Sequence, residues 1–141
     1  MTESERVFVD TNILVYAHDS CAGVKHQQAR QTMLELWESG CGCLSVQVLQ
    51  EFYNAVTRKV PKPIGRFEAQ MIIRDLAAWT VHSPIAEDIL QAIEIQQNHG
   101  LSFWDAMIVR SAVQLVCRRL LSEDLSAGQL YSGVLVVNPF A

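Results

Sequence analysis

The chain has 141 residues, of which half are hydrophobic and 18% charged; the length suits one domain with one core, and the composition excludes an intrinsically disordered chain. No apolar run approaches the roughly 18 residues of a membrane span, and the polar start from Met1 to Arg6 lacks the basic and long apolar regions of a secretion signal, so a cytoplasmic protein without a membrane anchor is expected. The formal net charge of −4 runs against a nucleic-acid binder, which is usually basic.

Val7-Phe8-Val9 is a short, continuously apolar run that stops at Asp10-Thr11-Asn12, the pattern of a buried parallel strand. A helix is expected from about Val24 to Glu38, with Gly40 as its stop. Cys43-Leu44 suits a second strand, and Ser45 an N-cap. Val48, Leu49, Phe52 and Val56 then mark one face of a helix that must end before Pro61. Gly65 to Ala78 suits a further helix with Met71, Ile72 and Leu76 inward, and Thr80-Val81-His82 a third strand. Ile85 to His99 reads as a helix with Ile89, Ala92, Ile93 and Gln96 on one side and Gly100 as its stop. Ser102 caps a helix expected from Phe103 to Arg119, with Arg118 and Arg119 in its last turn. Leu120-Leu121 is a fourth strand ending at Ser122-Glu123-Asp124, and Val134 to Val137 form the last. This alternation predicts an α/β fold with a central parallel sheet and helices on both faces, in one domain spanning 1–141.

Ligands of open α/β sheets bind beyond the carboxyl ends of the strands. Asp10 and Asp124 lie at two such ends; Asp105 and Glu51, near the starts of two helices, are able to join them. A hard divalent cation such as Mg²⁺ takes oxygen ligands, so these four acids form a candidate metal site. Without them, 11 of the 15 acidic residues remain against 11 Lys and Arg, which leaves the rest of the molecule formally neutral. Each acid also has a plainer role. Asp10 fits an Asx turn with Asn12, and Glu51 a surface pair with Arg58 or Lys59. Asp105 completes a capping-box pattern with Ser102, and Asp124 fits a cap for which Glu123 competes.

Cys21, Cys41, Cys43 and Cys117 contain no CxxC pair, and a zinc site built from Cys41 and Cys43 with His82 or His99 lacks ligand spacing; buried free thiols are expected. His18, His26, His82 and His99 show no pairing that suits metal-free cleavage. Arg58, Lys59, Lys62 and Arg66 crowd around Pro61, Pro63 and Gly65. They suit either a grip on RNA phosphates or a solvated loop. Arg110, Arg118 and Arg119 are further cationic candidates, and Trp37, Trp79 and Trp104 suit core or interface positions.

Four blocks taken together resemble the PIN-domain ribonucleases. These are Val7 to Tyr16 around Asp10, Ser45 to Asn54 around Glu51, Leu101 to Ala106 around Asp105, and Leu120 to Leu125 around Asp124. They follow the family's order across almost the whole chain, and the short length without an added domain is similar to VapC-like toxins of toxin–antitoxin pairs. The resemblance implies an endoribonuclease dependent on Mg²⁺ or Mn²⁺, with Asp10, Glu51, Asp105 and Asp124 as catalytic acids and metal ligands. It implies in-line hydrolysis leaving 5′-phosphate and 3′-hydroxyl ends. Asn12 would orient Asp10, and the Ser122 hydroxyl would hold a water or a phosphate oxygen. It further implies an RNA substrate, an antitoxin partner and a homodimer. A PIN nuclease of RNA processing or decay would carry the same residues. A phosphotransfer enzyme with Asp10 as acceptor and a non-catalytic binding module are the remaining alternatives; Asn12 stands where haloacid-type phosphatases use a second aspartate.

Overall fold

The computed structural model describes residues 5–141. Six strands form one sheet in the order β3-β2-β1-β4-β6-β5, flanked by six helices. The strands are β1 (Val7–Val9), β2 (Gly42–Ser45), β3 (Thr80–His82), β4 (Arg119–Leu121), β5 (Leu130–Tyr131) and β6 (Val134–Val137). All pairings are parallel except the β5–β6 hairpin. The helices are α1 (Thr11–His18), α2 (Val24–Ser39), α3 (Val46–Asn54), α4 (Arg66–Leu76), α5 (Ala86–His99) and α6 (Phe103–Gln114). A π turn, Ala55–Lys59, continues α3.

The central strand explains the placement of everything else. Every residue of β1 is buried, which is why its sequence is apolar without alternation. The chain runs outward from β1 through β2 to β3, then returns to lay β4 along the other side of β1. Order reverses between β1 and β4, and at such a switch point the loops leave the sheet in opposite directions and open a crevice. The residues immediately after β1 and β4 therefore face each other; Asp10 N–H donates to Leu121 O at 2.9 Å. Phe8, Leu44, Leu120, Val48 and Phe52 fill the core behind that edge.

Strands β1, β2, β3, β4 and β6 stand where the sequence pattern puts them, and Gly40 and Gly100 close α2 and α5 in left-handed conformation. Several expectations need correction. Thr11–His18, to which the sequence pattern assigned no element, is a helix capped by Asp10. Helix α6 ends at Gln114 rather than Arg119, because Val116 turns to φ 56° and starts the path into β4. Arg118 and Arg119 therefore do not sit at a helix C-terminus; Arg119 is in β4. Met71, expected inward, is exposed, while Ala69 joins Leu76 as a buried residue of α4; of the face expected in α5, Ala92 is buried and Ile89 and Ile93 are exposed. Cys41, Cys43 and Cys117 are buried free thiols as expected, whereas Cys21 is an exposed one. Among the described residues no helix is long and apolar enough to cross a membrane.

Candidate active site

Asp10 leaves β1 in extended conformation and caps α1, its Oδ1 accepting the Thr11 N–H at 2.7 Å. Its Oδ2 accepts the Ser122 hydroxyl at 2.7 Å. Ser122 itself is fully buried, and its Oγ also accepts the backbone N–H groups of Asp124 and Leu125, each at 3.2 Å. The hydroxyl thus ties the loop after β4 to the acid after β1, a role beyond the one the resemblance implies. Asn12 also acts elsewhere than expected. Its Nδ2 donates to Asp124 Oδ2 at 2.9 Å and its Oδ1 accepts the Glu123 N–H at 3.3 Å, so it orients Asp124 rather than Asp10.

Glu51, in the second turn of α3, accepts Thr11 Oγ1 at 2.6 Å on one oxygen and Gln47 Nε2 at 3.3 Å on the other. Gln47 also donates to the Trp104 carbonyl at 3.2 Å, joining α3 to the first turn of α6. There Ser102 Oγ accepts the Asp105 N–H at 3.1 Å, so Asp105 stands in the cap its sequence predicts. Thr11 went unnoticed in the sequence; its signal was adjacency to the capping acid, with a hydroxyl free to reach the next acidic segment.

Neighbouring carboxylates act on both Asp10 and Asp105. Burial pushes the Asp10 carboxyl up to about 6, against the lowering pull of Ser122 and Thr11, with the charges of Asp105 and Asp124 adding to the rise. Burial also raises Asp105, which further faces the charges of Asp124 and Glu51. Asp105 contributes to raising Tyr131 as well, after burial. Glu123, the rival of Asp124, points away. Lys25 and then the Tyr16 hydroxyl hold its carboxylate below the usual range, and Lys25 in turn lies 5.2 and 5.6 Å from the ring centres of Tyr16 and Phe140.

Beside the acids lies a pocket of about 410 Å³ lined by Thr11, Asn12, Val15, Tyr16, Glu51, Asn54, Ala55, Lys59 and Asp124. Of the four basic residues singled out in the sequence, Lys59 lines it. Arg66 lines a separate hollow with Tyr53, Phe67 and Gln70, and Arg58 and Lys62 are exposed. Arg110 is engaged elsewhere, on Asp88. Trp37 and Trp79 pack edge to face, while Trp104 is 62% exposed beside Asp105.

The donor set consists of carboxylate oxygens, which suits a hard divalent cation and no soft one. Among the described residues no three His, Cys, Asp or Glu side chains form a group that holds a metal ion by itself. Mg²⁺ does not require one, since it commonly takes one or two carboxylates and completes its shell with water and substrate phosphate. Burial is the main cause of the rise at both Asp10 and Asp105, and neighbouring carboxylates add to it, a charge balance that a divalent cation would relieve.

The family model described as PIN domain matches residues 7–130. A chain of a toxin–antitoxin complex from Klebsiella pneumoniae superposes with a TM-score of 0.69 at 21% identity, covering 94% of this chain and 97% of that one. VapC20 of Mycobacterium tuberculosis, a toxin that cleaves the sarcin–ricin loop, superposes with a TM-score of 0.62 at 22% identity, covering 81% of this chain and 86% of its own. At these identities the likeness establishes the fold. No curated protein sequence matches the chain.

Proposed function

The chain belongs to the PIN-domain family, and from that premise we propose that it is a metal-dependent endoribonuclease, the toxin of a toxin–antitoxin pair. The observation that supports the proposal most is that Asp10 lies within electrostatic reach of Asp105 and Asp124, and Asp105 within reach of Asp124 and Glu51, although the acids come from separate segments of the chain. The two structural neighbours support the toxin assignment: one belongs to a toxin–antitoxin complex and the other is an RNA-loop-cleaving toxin. An antitoxin, a second copy of the chain in a homodimer, and a cytoplasmic setting follow from the same reading.

Asp10, Asp105, Glu51 and Asp124 would hold Mg²⁺ or Mn²⁺ together with water and the scissile phosphate. The bound metal supplies a more acidic water and counter-charge for the phosphodiester. The protein's own part is orientation. Ser122 and the Thr11 N–H fix both oxygens of Asp10, Asn12 aims Asp124, and Thr11 with Gln47 aims Glu51. With the acids held in this way, little reorganisation remains at the moment of attack on phosphorus.

The test is induced expression in a bacterial host with genome-wide mapping of new 5′-phosphate RNA ends, comparing the native chain with Asp105→Asn. New ends at a few defined sites with growth arrest, both absent in the variant, are expected. Normal growth and no new ends from soluble native protein would overturn the proposal.

A further inference from the structure

The pocket beside the acids contains a cation that the four-acid site does not use. Lys59 lines it together with Glu51 and Asp124. Lys59 is exposed, and among the described residues its ammonium makes no hydrogen bond or ion pair. A cation placed next to clustered carboxylates yet bonded to none of them remains free for an incoming anion.

The backbone accounts for its position. Glu51, Asn54 and Ala55 share one helical face by ordinary three- and four-residue spacing. At about 100° per residue, position 59 would fall roughly 80° around the helix from Glu51. From Ala55 to Lys59, however, the chain is wound as a π turn, and Val60 N–H reaches Ala55 O at 3.2 Å across five residues. At about 82° per residue over that stretch, Lys59 returns to within roughly 10° of Glu51. The same winding leaves its neighbour Arg58 outside the pocket lining.

Resting on the nuclease reading, we infer that this pocket is a one-nucleotide subsite of the RNA, with Lys59 binding the phosphate next to the scissile one and the Asn54 amide meeting the edge of the base. The volume, about 410 Å³, falls in the range of small-ligand pockets. Its walls divide by chemistry as a nucleotide does. Val15 and Ala55 are apolar, Asn54 has no hydrogen-bond partner for its side chain among the described residues, and Lys59 supplies the positive charge. Asn12 and Tyr16 line the same pocket, but their polar atoms are spent on Asp124, the Glu123 N–H and Glu123. Lys59 thus acts by binding substrate, and takes no part in holding the acids.

The experiment measures binding of a fluorescein-labelled single-stranded RNA of about 12 nucleotides by fluorescence anisotropy. The protein is the Asp105→Asn chain with Mg²⁺, across a range of salt concentrations. Adding Lys59→Ala is expected to weaken binding severalfold and to make the slope of log affinity against log salt shallower by about 0.7, one phosphate contact on a single strand. Arg58→Ala and Lys62→Ala, both surface changes outside the pocket, are expected to leave the slope unchanged. In the cleavage-competent chain, Lys59→Ala raises KM more than it lowers kcat, and Asn54→Ala changes which base flanks the mapped cleavage sites. An unchanged salt slope with Lys59→Ala, while RNA is still bound and cleaved, overturns the subsite and leaves the nuclease standing. Equal loss of slope in all three variants also overturns it, in favour of diffuse attraction. Failure of the native chain to bind or cut RNA overturns both.

Discussion

Asp10 and Asp88 are buried to nearly the same degree, 6% and 3% exposed, and their carboxyl groups behave in opposite ways. Burial raises both. At Asp88 the rise is outweighed by the Ile85 N–H at 2.9 Å, by Arg110 Nε at 2.9 Å and by His82 Nε2 at 3.2 Å, so the carboxyl lies below its usual range. His82 is itself anchored through Nδ1 to Ser111 Oγ at 2.8 Å, and the network bolts α5, α6 and β3 together. At Asp10 the partners are neutral donors and the nearby charges are negative, so burial wins and the carboxyl rises to about 6. A buried acid given cations serves the fold; one given only hydroxyl and amide donors, beside other acids, keeps its charge available for something that arrives later.

The largest expected effect separates the two in activity. Asp10→Asn lowers RNA cleavage by about 100-fold or more, whereas Asp88→Asn leaves kcat unchanged in protein that remains folded; single-turnover cleavage of a mapped target site is the measurement. Comparable losses in both would erase the distinction. In stability the order reverses. Asp88→Asn costs about 3 kcal/mol in urea melts, because Arg110 loses its counter-charge and His82 its partner. Asp10→Asn, without metal at neutral pH, stabilises by about 1–3 kcal/mol by removing a buried uncompensated charge.

The pH dependence sharpens the contrast further. The folded state holds the Asp10 proton to about pH 6 and the unfolded chain only to about 3.8. Metal-free stability from this group therefore declines as pH rises from about 4 to 6, and stays lower above that. Asp88 acts with the opposite sign: its contribution is present above the unfolded pKa and is lost as pH falls through its lower folded value. Added Mg²⁺ should raise the melting temperature more at pH 7.5 than at pH 5, since ligation needs the ionised acid. Asp10→Asn should flatten both profiles, read by thermal unfolding with and without chelator. The smallest effect belongs to Asn12→Ala. About tenfold lost cleavage is expected with little change in melting temperature, since it aims the exposed Asp124 without bridging the core.

The four acids were singled out because the blocks around them, each weak alone, together resemble one family in order, and the sheet was legible because its strands are apolar runs ending in polar turns. What stayed hidden depends on contacts across the fold. Helix α1 packs against α2 and α3 and buries Ile13, Leu14 and Ala17, so Thr11–His18 lacks a clean amphipathic stripe, and Asp10-Thr11-Asn12 resembles a turn more than a cap. Helix α6 stops at a valine with positive φ, for which no glycine gives warning. The β5–β6 hairpin did leave a trace: Ser132 and Gly133 both adopt positive φ in a two-residue turn. Asn12 was matched to Asp10 through the family resemblance, whereas its amide spans 112 positions to Asp124.

Gly42 has room only for hydrogen, because a β-carbon there would lie 2.3 Å from the ring of Trp79, and Trp79 packs edge to face on Trp37 at 5.2 Å. Trp104, 62% exposed and packed edge to face on Phe103 at 5.0 Å, lies beside Asp105 away from that pair. The three indoles therefore divide the molecule optically. The paired indoles are expected to give a near-ultraviolet signal that vanishes when the sheet loses its packing, and the exposed Trp104 an emission that shifts when the neighbouring site is filled. Unfolding and ligand capture can thus be followed separately in unlabelled protein.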